Sequence, residues 1–125
     1  MGGVVNELLG KTMNNYLSIN QREGQAVKVF VAAIRKNLKD EVLEIKLFGS
    51  KVRGDYSQDS DIDILIVLRE RSKPFIDNIY EELLAVELEY DSKISLTIFS
   101  ESEYQHNLDA HTPFMKVLAN EAVAL

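Results

Sequence analysis

Residues 47–68 read LFGSKVRGDYSQDSDIDILIVL, with two short apolar runs on either side of a polar, turn-rich stretch. The first run ends at Gly49 and Ser50, and the second begins at the segment Asp61-Ile62-Asp63. Apolar runs of this length that are bounded by turn residues predict β-strands. The segment therefore predicts a strand, a Gly-Ser turn, a loop and a second strand that carries two carboxylates at its entrance.

Asp61 and Asp63 are two residues apart, and side chains two apart on a strand point to the same face. Like charges held this close repel each other, so the pKa of one carboxyl should rise unless a cation neutralises the pair. Carboxylate oxygens suit Mg²⁺, which prefers one or two carboxylates together with substrate phosphates, and Mn²⁺ accepts the same donors. We therefore expect Asp61 and Asp63 to be both the metal ligands and the catalytic carboxylates.

The Gly-Ser turn offers groups that bind anions. Gly49 lets the backbone approach a ligand closely, and Ser50 adds a hydroxyl where backbone N–H groups can hold an anion. Lys51 and Arg53 add positive charge on the same loop, although pairing with a nearby aspartate explains either residue equally well. These four residues are the predicted nucleotide-binding set, and together with the carboxylates they predict a site for a nucleoside triphosphate.

The two motifs together resemble the nucleotidyltransferase superfamily typified by DNA polymerase beta and kanamycin nucleotidyltransferase. Its signature is Gly-Ser followed at a set distance by Asp-x-Asp. Here residues 51–60 separate Ser50 from Asp61, which is the spacing of the minimal nucleotidyltransferases. A Gly- and Asp-rich hairpin loop is the alternative, but turn chemistry does not require acidic residues inside the following strand.

The resemblance implies Mg²⁺-dependent transfer of a nucleoside monophosphate, AMP from ATP, to an acceptor hydroxyl. Minimal members are often encoded beside a small helical protein of the HEPN type, as the antitoxin of a toxin–antitoxin pair, and some adenylylate the toxin. The resemblance thus implies a HEPN-type protein as the partner. An aminoglycoside-type transferase, which acts on a small molecule, would normally carry a further helical domain and is the weaker interpretation.

Active members of the superfamily usually add a third carboxylate from the strand beside the Asp-x-Asp strand. The matching strand is predicted at residues 94–99, where the inner positions hold Ser95 and Thr97. Hydroxyls are poor bases at neutral pH. Counting back from Ser100, the predicted cap of the next helix, favours Thr97 as the position of the missing acid. A catalytically degenerate module that binds a nucleotide or a partner is therefore the alternative to an enzyme.

Patterns along the rest of the chain predict an α/β fold, with a small mixed sheet of at least three strands flanked by helices. This is the polymerase beta-like nucleotidyltransferase fold that the resemblance implies. We assign residues 21–125 to that domain and residues 1–20 to an N-terminal arm or short helix. The predicted helices begin at capping signals and the predicted strands are short apolar runs: helix caps at Asn20, Ser100 and Thr112, a helix from Pro74 to Tyr90, a last helix over 114–123, and strands over 42–48 and 62–68.

Composition narrows the functional classes. The chain has 125 residues, 46% of them hydrophobic, which suits one domain with a core. A net charge of −6 lacks the cationic field that nucleic-acid binding needs, so direct binding of DNA or RNA is disfavoured. No cysteine, membrane-length apolar run or secretion signal is present, so we expect a cytoplasmic protein without a membrane span. His106 and His111 are predicted as loop residues rather than metal ligands, and a homo-oligomer remains open.

Overall fold

The computed structural model describes residues 19–54 and 60–125, so the predicted arm over residues 1–20 lies outside the described residues except for its last two. The fold is α/β with a mixed sheet, as the sequence predicts. In chain order its elements are α1 (Gln21–Leu38), a 3₁₀ turn (Lys39–Glu41), β1 (Val42–Phe48), α2 (Ser50–Arg53), β2 (Ile62–Leu68), α3 (Lys73–Tyr90), β3 (Ile94–Ser100), α4 (Glu101–Asp109), α5 (Pro113–Glu121) and β4 (Val123–Ala124).

The described strands form one sheet in the order β3-β2-β1-β4. Strand β1 runs antiparallel to both β2 and β4, whereas β2 and β3 are parallel. Strand β2 therefore lies inside the sheet, and all of its residues except Asp63 are buried. The apolar run over 62–68 is therefore a central strand that is covered on both faces.

Helices cover both faces of the sheet. On one face, α1 packs beside α3, and their side chains join those of alternate β2 residues, including Ile64 and Ile66, in the main core. On the other face, Leu65 and Val67 pack against Met115 and Leu118 of α5. Because strand side chains alternate between faces, Asp63 lies on the same face as Leu65 and Val67. The candidate carboxylate therefore belongs to the face that α5 covers.

Local signals in the sequence place three helix starts correctly, at the caps Asn20, Ser100 and Thr112, and the first two also form reciprocal pairs. The Asn20 side chain accepts from the N–H of Glu23 at 2.8 Å, and the Glu23 carboxylate accepts from the N–H of Asn20 at 3.1 Å. Ser100 and Glu103 make the same reciprocal pair before α4, at 3.1 and 2.8 Å. Each pair satisfies two N–H groups that a helix end otherwise leaves unpaired.

The C-terminal part of the chain differs from its predicted form. Helix α4 continues to Asp109, so His106 lies in a helix and not in a linker, whereas His111 does lie between helices. Helix α5 ends at Glu121, two residues before the predicted end, and Val123–Ala124 pairs with β1 instead. Two residues are too few for an alternating pattern to reveal a strand. Among the described helices, none is long and apolar enough to cross a membrane.

Candidate active site

The candidate site begins where β1 ends and the chain turns at Gly49. The backbone there has φ 85° and ψ −163°, a combination that is essentially restricted to glycine. Asp63 lies against this turn, because a Cβ built on Gly49 would stand 2.9 Å from Asp63 Cγ and 3.2 Å from Asp63 Cβ. The space that the sequence argument reserved for a ligand is thus filled by the Asp63 side chain. A contact between Gly49 and a phosphate stays a prediction.

Ser50 begins a short helix, α2, where the sequence predicted a loop. The N–H groups of Val52 and Arg53 both donate to the Gly49 carbonyl at 3.1 Å. Gly54 ends the turn in the left-handed conformation with φ 79°, and its N–H donates to the Ser50 carbonyl at 3.1 Å. A glycine just beyond a helical turn is a common C-terminal signal. Gly54 was therefore the residue that could have revealed α2.

Lys51 and Arg53 lie on different sides of α2, because residues two apart on a helix are about 200° apart around its axis. Lys51 points inward: its side chain is 2% exposed, and its Nζ lies 3.1 Å from Glu23 Oε2. This ion pair joins α2 to the first turn of α1, and no described contact connects the Lys51 ammonium with the carboxylates of the site. Binding of a nucleotide by Lys51 stays a prediction, and the ion pair with Glu23 does not support it.

Arg53 points to the C-terminal part of the chain. Its Nη1 lies 3.1 and 3.2 Å from the two carboxylate oxygens of Glu121, the last residue of α5. The same carboxylate accepts from the N–H of Gly49 at 2.5 Å. Glu121 could not be assigned to the site from its sequence position, because it lies 72 positions from Gly49 and no spacing rule links the two. It is a third acidic residue near the site.

Asp63 has the electrostatics that the sequence predicts for one member of the pair. Partial burial raises the pKa of its carboxyl, the charge of Asp61 raises the pKa further, and Glu121 adds to the rise while Arg53 opposes it. The direction agrees with the predicted rise of one pKa, but burial of the Asp63 carboxyl contributes more to it than the charge of Asp61. A half-buried carboxylate that repels a neighbouring one suits a divalent cation with hard oxygen ligands.

The pair has no third ligand within the described ranges. Within residues 19–54 and 60–125, no group of three or more histidine, cysteine or acidic side chains is arranged to hold a metal ion. A divalent ion would therefore depend on Asp61 and Asp63 together with oxygens of a bound ligand. Mg²⁺ commonly binds proteins in this way, with one or two carboxylates and substrate phosphates.

The strand pairing bears on the position of the missing carboxylate. In the parallel pairing of β2 with β3, Ser95 lies beside Asp63, and Thr97 lies beside Leu65. This register favours Ser95 over the expected Thr97, because counting from a helix cap does not determine strand register. Leu65 is fully buried, so an acid at position 97 would stand beside the apolar core instead of the site.

Comparison with known proteins identifies the class. The nucleotidyltransferase domain family matches residues 27–118, and the chain belongs to this family. Two proteins of Methanocaldococcus jannaschii, both provisionally named protein adenylyltransferases, are similar to part of it. One is 51% identical over 45 residues, which is 36% of this chain and 45% of the relative. The other is 44% identical over 46 residues, which is 37% of this chain and 46% of the relative. The chain thus spans about half the length of these curated relatives.

A solved structure, provisionally named a nucleotidyltransferase, from Sulfolobus solfataricus aligns with 71% of this chain and 83% of its own. The TM-score is 0.39 and the sequence identity 18%, so this similarity carries no argument about function. The family assignment comes from the domain match.

Proposed function

We propose that this protein is a Mg²⁺-dependent nucleotidyltransferase that transfers AMP from ATP to a hydroxyl of a partner protein. The observation that carries the proposal is the Asp63 carboxylate, which packs against the Gly49 turn in a chain of the nucleotidyltransferase family. The names of the two Methanocaldococcus jannaschii relatives support adenylyl transfer to a protein.

Each part of the site has a role in this proposal. Asp61 and Asp63 hold the divalent ion, which when bound would neutralise charge on the attacking and leaving oxygens. Ser50 and Arg53 bind the phosphates, Ser50 through its hydroxyl and Arg53 through its guanidinium, whose planar donors match phosphate oxygens. Gly49 keeps the turn close enough to Asp63 to hold that carboxylate in place.

The acceptor that we propose is a small helical protein of the HEPN type. Helix α3 presents a row of exposed apolar side chains that supports a protein partner: Tyr80 is 49% exposed, Leu84 58% and Leu88 76%. Residues four apart lie on the same side of a helix, so the three form one apolar ridge. Ridges of this kind on a protein surface commonly mark contacts with other proteins.

A catalytically degenerate module is the second candidate, and the neighbour of Asp63 favours it. Ser95 stands where the family usually has a third carboxylate, and a serine hydroxyl cannot take a proton from an acceptor at neutral pH. Such a module would bind ATP or its partner without transferring label.

The test uses ATP labelled at the α-phosphate, Mg²⁺ and the protein encoded by the neighbouring gene. We expect label to appear on that protein with the unaltered chain and to be lost with Asp63→Asn. Asp109→Asn is the matched control, because Asp109 is an exposed aspartate of α4 whose carboxylate accepts from Gln105 Nε2 at 2.9 Å, away from the α3 ridge. Binding of ATP without labelling would favour the module, and equal labelling by Asp63→Asn would rule out the proposed site.

A further inference from the structure

Glu121 occupies Arg53, which the proposed function assigns to phosphate, and the neighbouring backbone N–H of Gly49. Its carboxylate accepts from the Gly49 N–H at 2.5 Å and lies 3.1 Å from Arg53 Nη1. A backbone N–H and a guanidinium around one anion are a typical arrangement for a bound phosphate group. In the described structure this anion is supplied by the chain itself, in a side chain that is only 13% exposed.

Glu121 is held in this position by the main chain on both sides of it. Before it, Met115 and Leu118 bury α5 against the sheet, and Phe114 packs edge-to-face on Phe48 with ring centroids 5.4 Å apart. After it, Val123 and Ala124 pair with Leu47 and Lys46 of β1. Its backbone is therefore fixed beside the end of β1.

The last residue strengthens this attachment. The N–H of Leu125 donates to the Ile45 carbonyl at 2.9 Å, and Arg35 Nη2 donates to the Leu125 carbonyl at 2.8 Å. A bound anion can consequently replace the Glu121 carboxylate if the Glu121 side chain alone rotates away. Helix α5 and strand β4 then stay in place.

We propose that Glu121 is an internal competitor of the triphosphate and sets the affinity of the site for it. A carboxylate and a phosphate cannot accept from the same Gly49 N–H and Arg53 donors at once. Two anions in one small site also repel each other. Binding of a phosphate at these donors therefore requires the Glu121 side chain to leave, and loss of the Glu121 carboxylate favours the bound state. This inference rests on the proposed function only in taking the ligand to be a triphosphate.

A supporting role for Glu121 predicts the opposite change in anion affinity. If Glu121 served to hold Arg53 and the Gly49 turn in a binding-competent position, loss of its carboxylate would weaken the binding of anions. A substitution at Glu121 therefore separates competition from support by the direction of the change in affinity.

The test is calorimetric titration with inorganic tripolyphosphate in the absence of divalent metal, so that the phosphate-binding groups are measured without a metal bridge. Glu121→Gln keeps the shape of the side chain and removes its charge, and Glu121→Ala removes the acceptor. We expect both variants to bind tripolyphosphate about fivefold more tightly than the unaltered chain, or more, as for loss of one competing ion pair. Glu44→Gln is the matched control, since Glu44 pairs with Lys46 on β1, away from the turn.

Equal or weaker binding by both Glu121 variants would overturn the inference. An equal gain in tripolyphosphate affinity in Glu44→Gln would also overturn it, because the effect would then come from net charge. Absence of tripolyphosphate binding in all variants would overturn it as well. The proposed function fails separately. Tighter tripolyphosphate binding by the Glu121 variants without AMP labelling would refute the proposed enzyme activity and support the competitor role of Glu121. Labelling that depends on Asp63, without tighter binding by Glu121→Gln, would support the enzyme activity and refute the competitor role.

Discussion

Replacement of Gly49 by alanine tests the geometry on which the site depends. The backbone at φ 85° and ψ −163° is in a region where a residue with a side chain is strained by about 1–3 kcal/mol. The added Cβ would also stand 2.9 Å from Asp63 Cγ, so the carboxylate has to move, at a further cost of about 1–3 kcal/mol. We expect Gly49→Ala to lower the free energy of unfolding by about 2–6 kcal/mol.

The two contributions can be separated by urea denaturation in two backgrounds. In Asp63→Ala the carboxyl group is gone, so Gly49→Ala should cost about 1–2 kcal/mol less there than in the unaltered chain. Gly54→Ala is the control, because Gly54 has a comparable φ of 79° at the other end of α2. Its cost, about 1 kcal/mol from backbone strain, should be the same in both backgrounds.

An equal cost of Gly49→Ala in the two backgrounds would show that Asp63 does not press on the turn. A Gly49→Ala protein as stable as the unaltered chain would contradict the backbone conformation itself. Either comparison requires that the urea m-value stays constant, since a changed m-value would mean that the denatured or native ensemble had changed.

The remaining predictions concern the carboxylates. Mg²⁺ with ATP at a hundred times its Kd should add about 2.7 kcal/mol of stability, or roughly 10 °C in Tm for a domain of this size, and Asp63→Asn should abolish the shift in a thermal melt. Without metal, Asp63→Asn should be more stable than the unaltered chain at pH 7. The raised pKa of Asp63 means that its ionisation destabilises the fold, so the difference should vanish as the pH falls below the ordinary aspartate value of 3.8. Ser95→Asp should raise the labelling rate, by up to about 10²-fold for a restored base. Thr97→Asp should lower the Tm without raising the labelling rate. A higher labelling rate only in Thr97→Asp would contradict the observed register.

Sequence reasoning succeeded where the determining contacts are local. The capping pairs at Asn20 and Ser100 involve residues three positions apart, and the strand that carries Asp63 continues as an apolar run over 64–68. Asp61 lies just before this strand and is exposed, so the expectation that both carboxylates stand on the strand was met only for Asp63. Both patterns can be recognised in a short window, because helix caps and strands are defined over a few residues.

It failed where the partner lies far along the chain. The buried ion pair of Lys51 with Glu23 was not predicted, because the two residues are 28 positions apart. Glu121 was missed because its contacts with the turn depend on how α5 ends and on the pairing of β4 with β1. The choice between Ser95 and Thr97 depended on strand register, which only the pairing of β2 and β3 reveals. Folding thus brings together side chains that no local spacing rule relates.

The buried pair of Lys51 and Glu23 makes two separate pieces of structure into one cooperative unit. Glu23 both closes the capping box of α1 and neutralises the only charge that α2 buries. Fraying of the first turn of α1 would leave the Lys51 ammonium without its counter-ion inside the protein, which is strongly unfavourable. Unwinding of α2 would in turn remove the counter-ion of Glu23. The beginning of α1 and the Gly-Ser turn should therefore open together or stay closed together. A substitution that frays the start of α1 should thus also loosen the Gly-Ser turn.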